Sequence, residues 1–286
     1  MGLDRRGVLA GVGAMLMGGP AMAGSAMAGT QEALSTGGVR RGRAIVPVRI
    51  NGVERTLSFA VDTAANCSVV AEDLMTPLNL SPAAPLGMHT LAGREITPSI
   101  RCDRLVSGAL DRTDVRMALG RRSAMAGLDG LLGSDLLVDR RLVLNFRGGE
   151  RARISRSRSP ARGFLDAPDP RTTLVTAADR RFDSLLMIRA RVGTTPATAI
   201  IDSGAECSIL NRAAAVAGRA QPQAQRDGSR RMRIQTPTGE GVTADVMLLP
   251  SLGFAGISVG QLPVAVGDFH TFDLWGLSDR PAMLLG

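Results

Sequence analysis

The chain of 286 residues has no tyrosine and no lysine, and it is poor in aromatic residues, histidine and cysteine. Aromatic residues make up 3% of the sequence, so it lacks the stacking platforms of proteins that bind single-stranded nucleic acid. Its two histidines, His89 and His270, lie in no catalytic motif, which argues against a Ser-His-Asp or Cys-His site. We interpret both as ordinary surface or loop residues.

The three cysteines, Cys67, Cys102 and Cys207, show no CxxC or Cys/His spacing, so no zinc site is predicted. We expect free, partly buried thiols.

All 34 basic residues are arginines, and they outnumber the 26 acidic residues to give a net charge of +8. The charge is spread along the chain, which favours a solvated arginine-rich surface over a dedicated acidic partner or membrane surface. Because 44% of the residues are hydrophobic, the chain can build a sizeable core. The composition therefore indicates a globular protein that does not bind nucleic acid.

The N-terminal segment has the pattern of an export signal. Arg5 and Arg6 precede a short apolar run over 7–19, and Ala-x-Ala cleavage sites follow at 21–23 and 26–28. Paired arginines before a weakly apolar run are typical of a twin-arginine signal, which predicts export to the periplasm. An uncleaved anchor is the alternative, but the run is shorter than the about 20 residues that a membrane-spanning helix needs. We expect no stable membrane insertion once the signal is removed.

Two later segments read almost alike. Residues 59–70 are FAVDTAANCSVV, and residues 199–210 are AIIDSGAECSIL. Each is an apolar strand pattern that ends in an aspartate, Asp62 or Asp202, followed by a hydroxyl residue and small residues. A carboxylate at the end of a buried strand is costly unless it is used.

A matched pair of such carboxylates points to acid–base chemistry. Two carboxyl groups within hydrogen-bonding reach cannot both ionise easily, so one keeps a proton. The ionised group can then take a proton from water while the protonated group donates one to a carbonyl oxygen. The hydroxyls of Thr63 and Ser203 are placed to hydrogen-bond across the two loops.

The surroundings of the two motifs also repeat. A predicted hairpin precedes each aspartate, turning at Asn51-Gly52 in the first copy and at Gly193 in the second. A Gly-containing hairpin and a Leu-Leu-Gly sequence follow. The glycines of Leu-Leu-Gly, Gly133 and Gly286, are predicted to pack closely behind the active loops. Ser134 is predicted to cap a short helix beginning at Asp135.

This duplicated pattern resembles the retropepsin-like aspartic proteases. The resemblance covers about 44–147 and 185–286, and the absence of tyrosine favours this branch over pepsins, which have a flap tyrosine. It implies an all-β fold of two acid-protease lobes in tandem (closed or partly open β-barrels) with a few short helices. It also implies a peptide or protein substrate, no metal or organic cofactor, and catalysis by Asp62 and Asp202. Viral members pair two chains, whereas a tandem chain can pair its own lobes, so a monomer is favoured and a homodimer is the alternative.

The resemblance assigns further residues to substrate binding. The flaps that close over a peptide would lie around Gly93 and Gly239. The remaining substrate-binding positions are Ala64, Ala65, Asn66, Cys67, Gly204, Ala205, Glu206 and Cys207.

The chain departs from the family pattern at Ala64, where glycine is usual. Alanine resists positive φ and close contacts that glycine tolerates. A non-catalytic peptide-binding module that has lost activity through Ala64 is therefore the alternative to an aspartic endopeptidase.

Composition divides the chain into five predicted segments. The second copy stops at Gly286 while the first continues past Gly133, so we also expect a C-terminally truncated second lobe. The segments are an export signal (1–28), a leader (29–43), a first lobe (44–154), an Arg/Ser/Pro-rich linker (155–180) and a second lobe (181–286).

Overall fold

A computed structural model of the protein describes residues 8–9, 38–40, 42–144, 152–157, 178–181 and 185–286. Most of the predicted export signal, leader and linker lies outside the described residues, and the proposed segment boundaries stay predictions. In the described ranges, no helix has the length and apolar character needed to cross a membrane.

Strands dominate the described residues. In chain order they are β1 (Val8–Leu9), β2 (Gly38–Arg40), β3 (Arg43–Ile50), β4 (Leu57–Val61), β5 (Val69–Ala71), β6 (Ser81–His89), β7 (Arg94–Ser107), β8 (Leu110–Gly120), β9 (Gly130–Leu132), β10 (Arg140–Leu144), β11 (Ala152–Arg156), β12 (Asp179–Arg181), β13 (Leu185–Val192), β14 (Thr195–Ile201), β15 (Ile209–Leu210), β16 (Gln221–Pro222), β17 (Arg231–Gln235), β18 (Gly241–Phe254), β19 (Ile257–Val266) and β20 (Ala282–Leu285). The α-helices are α1 (Ser134–Leu137), α2 (Arg212–Ala217) and α3 (His270–Leu274), and 3-10 turns cover Glu72–Leu74 and Arg122–Met125.

Apart from the two-stranded sheet of β10 and β11, the strands form two large sheets built on one plan. The first sheet has the order β1-β6-β7-β8-β5-β9-β4-β3-β2, and the second has the order β12-β13-β14-β20-β15-β19-β18-β16 with β17 paired to β18. In each sheet the strand that leads into the aspartate runs parallel to the Leu-Leu-Gly strand, as β4 with β9 and β14 with β20. The predicted all-β fold with two similar lobes and a few short helices is confirmed. We call the first sheet with the β10–β11 hairpin the first lobe, and the second sheet the second lobe.

Alternating side chains give each lobe its core. Along β3, the side chains of Val46, Val48 and Ile50 are fully buried while those between them are more exposed. The equivalent strand β13 buries Ile188, Ala190 and Val192 in the same way. Each valine or isoleucine side chain buried like this stabilises the fold by about 1.5–3 kcal/mol.

Several local predictions can be compared with the structure. The turn at Asn51-Gly52 is confirmed, with both residues at positive φ. The prediction that Ser134 caps α1 was wrong, because the helix begins at Ser134 and Gly133 occupies the N-cap position. The Ser134 hydroxyl instead donates to the carbonyl of Ala65, 2.7 Å away. The sequence patterns did not predict α2 or α3, which are too short to show helical periodicity.

Candidate active site

Asp62 and Asp202 occupy equivalent places at the ends of β4 and β14. The backbone NH of Asp62 donates to the carbonyl of Leu132 at 2.9 Å, and that of Asp202 to Leu285 at 2.8 Å. The parallel pairs β4–β9 and β14–β20 thus extend into the two loops. Both carboxyl groups are fully buried.

Each carboxylate is held by its own loop through one oxygen only. Oδ1 of Asp62 accepts from the NH groups of Ala64 and Ala65 at 3.1 and 3.0 Å. Oδ1 of Asp202 accepts from Gly204 and Ala205 at 2.9 and 3.0 Å. The other oxygen, Oδ2, is buried in both residues and makes no hydrogen bond to the described residues. One oxygen of each acid therefore remains for chemistry.

The hydroxyls after the two aspartates tie the lobes together. Thr63 Oγ1 donates to the carbonyl of Ile201 at 2.7 Å and accepts from the NH of Ser203 at 3.1 Å. Ser203 Oγ donates to the carbonyl of Val61 at 2.8 Å and accepts from the NH of Thr63 at 3.3 Å. This reciprocal set of four hydrogen bonds fixes the distance between the loops that hold the acids.

Gly204 places the loop of the second lobe directly against Asp62. A Cβ atom at this position would lie 2.5 Å from Asp62 Oδ2, far inside van der Waals contact. The equivalent residue of the first lobe is Ala64, whose methyl group is buried in a hydrophobic cluster of the second lobe. Ala64 does not have a positive φ, so the backbone here does not require glycine.

The surroundings keep the two acids from ionising freely. Burial raises the pKa of Asp62 to about 6, while the Arg43 guanidinium and the Ala64 and Ala65 amides act in the opposite direction. Burial, followed by the charge of Asp62, raises the pKa of Asp202 well above its ordinary value. The pair titrates as a unit, so a single shared proton is the expected state over an interval near neutral pH.

An ion pair between the lobes lies beside the acids. Nε of Arg43, on β3, is 3.8 Å from Oε1 of Glu206, and both side chains are buried. In the first lobe the residue equivalent to Glu206 is the uncharged Asn66. The positive charge of Arg43 favours the ionised form of Asp62 and Asp202.

A second layer supports both loops from behind. Ser68 Oγ accepts from the NH of Gly133 at 2.9 Å, and Ser208 Oγ accepts from Gly286 at 3.2 Å. A Cβ atom at either glycine would come within 3.0 Å of the backbone of Cys67 or Cys207, so the predicted close packing is confirmed.

Asp135 belongs to this layer in the first lobe. Its carboxylate accepts from Ser68 Oγ at 2.9 Å and from the Ser68 NH at 3.1 Å. Burial raises the pKa of Asp135 to about 6.

The two glycines predicted in flaps lie at the tips of matching hairpins. The first flap is the 90–93 turn between β6 and β7, and the second flap is the 236–240 turn between β17 and β18. The Leu91 carbonyl of the first flap accepts from His270 NH of the second lobe at 3.3 Å. The Pro237 carbonyl of the second flap accepts from Arg121 NH of the first lobe at 2.9 Å. Each flap is thus bonded to the opposite lobe.

The two cysteines that were predicted to bind substrate lie in different surroundings. Cys67 is buried in the core of the first lobe, and Cys207 is half-buried at a cavity of about 320 Å³ that Met232 and Ala265 also line. All three cysteines are free thiols, as expected, and burial raises the pKa of both Cys67 and Cys207 to about 12.

Sequence reasoning missed Arg43 and Asp135 as members of the site, and it misread the two histidines. His89 is buried and contacts His270, so the interpretation of both as ordinary surface or loop residues was wrong. No local motif marks any of these residues. The one available signal was position relative to the repeats. Arg43, for example, is the first residue of β3, the strand that precedes β4 and the Asp62 motif.

Comparisons with known proteins agree with the two-lobed organisation. A sequence profile of the family described as aspartyl protease matches residues 46–136 and 188–286, one region in each lobe. A retropepsin-like aspartic protease from Rickettsia conorii is 22% identical over 42% of this chain and 86% of that chain, with a TM-score of 0.30. The EIAV protease complexed with the inhibitor HBY-793 is 22% identical over 34% of this chain and 86% of that chain, with a TM-score of 0.28. No curated protein matches the chain.

Proposed function

Since the chain belongs to the aspartyl protease family, we propose that it is an endopeptidase that hydrolyses peptide bonds with a water molecule held between Asp62 and Asp202. The observation that carries the proposal is the state of the two Oδ2 atoms. Both are buried, and neither bonds to the described residues, while the Oδ1 atoms are fixed by loop amides. Two such oxygens on loops joined by the Thr63–Ser203 bonds suit a water molecule and a shared proton.

The chemistry follows from that shared proton. The ionised carboxylate takes a proton from water as the water oxygen attacks the carbonyl carbon of the substrate. The protonated carboxyl gives its proton to the carbonyl oxygen, which produces a neutral tetrahedral diol. The carboxyl that took the proton from water then donates it to the amide nitrogen, while the other carboxylate takes a proton from a diol hydroxyl as the C–N bond breaks, so that one carboxyl is again protonated for the next cycle. The products are a peptide acid and a peptide amine.

Hydrolysis of a peptide library by the protein without residues 1–28 tests this proposal. We expect cleavage between mildly acidic and neutral pH, with inhibition by a peptide that carries a hydroxyl group in place of the scissile amide. Asp62→Asn and Asp202→Asn should each lower kcat/KM about a thousandfold. Asp111→Asn is the matched control, since Asp111 is exposed on β8 and pairs with Arg104 away from the site.

Two outcomes would overturn the proposal. Cleavage that survives both active-site changes would mean that other residues perform it. Peptide binding without cleavage, unrescued by Ala64→Gly, would support the non-catalytic binding module instead.

We infer that one chain supplies both acids, because the Thr63–Ser203 hydrogen bonds join lobes of the same chain. Light scattering of a dilute, active sample should then give the mass of a monomer. An active species that exists only as a dimer would contradict this assembly.

We further propose that the protein is exported to the periplasm. Replacing Arg5 and Arg6 together by lysine should retain it in the cytoplasm if a twin-arginine signal directs it. Unchanged periplasmic accumulation of the double variant would contradict that route.

A further inference from the structure

A pair of histidines joins the first flap to the second lobe. Nδ1 of His89, at the end of β6, lies 2.8 Å from Nε2 of His270, the first residue of α3. The rings are stacked, with centroids 5.1 Å apart and an interplanar angle of 12°. The carbonyl of Leu91, at the flap tip, accepts from the His270 NH, and the Leu91 side chain is buried in a cluster of the second lobe. The flap is therefore closed at the point where the two rings meet.

The contact between the rings depends on their protonation. A nitrogen–nitrogen distance of 2.8 Å requires one N–H to donate to an unprotonated ring nitrogen. The contact can therefore form when both rings are neutral and also when the pair carries one added proton. When both rings are cationic, both facing nitrogens carry hydrogen and the two charges repel each other.

We propose that His89 and His270 form a pH-dependent latch that holds the first flap closed near neutral pH and releases it in mildly acidic solution. Only one consequence of the latch, the entry of a peptide into the cleft when the flap is released, rests on the proposed function. As a structural device the latch stands on the ring contact, the Leu91 hydrogen bond and the burial of Leu91.

The charged groups around His89 also disfavour a second proton on the histidine pair. Arg94 lies opposite His89 in the β6–β7 pair, and the backbone of Leu9 in β1 pairs with His89 on the other side of β6. Burial, His270 and Arg94, in that order, lower the pKa of His89. The second proton therefore meets a cationic neighbour on β7.

Acidic groups lie on the side of His270 and near the flap tip. Asp273 follows His270 by three residues on α3, and Asp268 precedes it and pairs with Arg212 at 3.4 Å. Glu95, on β7, accepts from Thr90 Oγ1 within the flap. No hydrogen bond joins any of these carboxylates to the His89 ring in the described residues.

The direction of the pH effect follows from linkage. Because the pKa of His89 is lower when the flap is closed than when it is open, the closed flap binds fewer protons than the open flap. Closure is then complete above the ordinary histidine pKa of about 6.5 and weakens as the pH falls below it. One linked proton changes the closed-to-open ratio by at most about tenfold per pH unit.

The second flap provides an internal control. It is held by the Pro237 carbonyl and Arg121 NH, and its Gly239 packs against the Arg121 side chain. The sequence has no third histidine that could serve this flap. Only the first flap should respond to mild acid.

Hydrogen–deuterium exchange of the intact protein between pH 7.5 and 5.5 tests the latch, with rates expressed as protection factors to remove the intrinsic pH effect. Protection of peptides containing 89–93 and the His270 NH should fall by up to about tenfold per pH unit below about 6.5. Protection of the 236–241 peptide should not change. His89→Gln, which can still hydrogen-bond to His270 but cannot gain a proton, should remove the pH dependence.

His270→Gln gives the same test if His89→Gln does not fold, and fluorescence of Trp275, the chain's one tryptophan, gives a second readout beside α3. Equal pH dependence in both flaps, or pH dependence that persists in the folded glutamine variant, would overturn the latch. Exchange does not need turnover, so repeating it in Asp202→Asn separates the two ideas. A wild-type protein that cleaves no peptide but has a pH-dependent first flap would overturn only the proposed function, and an active wild-type protein whose flaps respond equally would overturn only the latch.

Discussion

The two lobes share a strand plan and matching Asp-hydroxyl loops, yet they differ in what surrounds the acids. The second lobe has Gly204 and Glu206, whereas the first has Ala64 and Asn66 at the same positions. The first flap is held by titratable rings, and the second is held by a backbone bond beside an arginine. The backbone geometry around Asp62 and Asp202 is thus nearly symmetric between the lobes, whereas the packing and the charges around these acids are not. Four predictions test how much of this asymmetry matters.

The largest effect is expected from breaking the interlobe ion pair, which Glu206 makes and its equivalent Asn66, being uncharged, cannot make. Glu206→Gln removes the carboxylate near the buried Arg43 and should lower the free energy of unfolding by about 3 kcal/mol. Asn66→Gln, at the equivalent position of the first lobe, should change it by less than about 0.5 kcal/mol. Urea unfolding followed by circular dichroism measures both. Equal effects of the two changes would show that the ion pair does not distinguish the lobes.

Exchanging the small residues tests the packing asymmetry. Gly204→Ala puts a methyl group against Asp62 Oδ2 and should lower kcat/KM about a hundredfold by displacing that carboxyl. Ala64→Gly should leave kcat/KM within about threefold and cost roughly 1 kcal/mol of stability, since glycine loses more conformational freedom on folding. Steady-state kinetics on one peptide gives the comparison. Wild-type kinetics in Gly204→Ala would show that the acids do not need this close approach.

The hydroxyl pair is the most symmetric part of the site, so its two halves should cost the same. Thr63→Val and Ser203→Ala each remove one donor and one acceptor from the interlobe set, which should cost about 1–3 kcal/mol of unfolding free energy. In a double-mutant cycle the two changes should be coupled by at least about 0.5 kcal/mol. Additive costs would mean that the lobes do not depend on each other at this point.

The smallest effect, when it is counted for each pH unit, concerns the dependence of stability on pH. The folded protein raises the pKa of Asp62 to about 6, so ionising this acid costs stability as the pH rises from about 4 to about 6. Asp62→Asn should therefore gain stability relative to wild type by up to about 1.4 kcal/mol per pH unit in that interval. Asp202→Asn should behave in the same direction, because burial raises its pKa as well. Thermal unfolding from pH 4 to pH 7 measures the difference, and a difference that shrinks with rising pH would contradict the buried dyad.

Much of the fold followed from local patterns. The Asn51-Gly52 turn and the alternation in β3 and β13 are written in adjacent residues, so the hairpins before each aspartate were predictable. The full lengths of β7 and β18 could not be predicted, since parts of both strands do not alternate clearly between buried and exposed residues. Helix α2 was missed, although Asn211 at its N-cap, which accepts from the Ala214 NH at 2.8 Å, is a recognisable signal.

The sequence by itself determined the duplicated strand–Asp–hydroxyl units, because strand alternation and turn chemistry act over a few neighbouring residues. Only the tertiary structure decided which side chains meet between the lobes: Arg43 with Glu206, Gly204 with Asp62, and His89 with His270, which are 181 residues apart. Such contacts depend on how two folded sheets are oriented against each other. No local preference of the chain encodes that orientation, since it arises from the summed packing and hydrogen bonding of the whole interface.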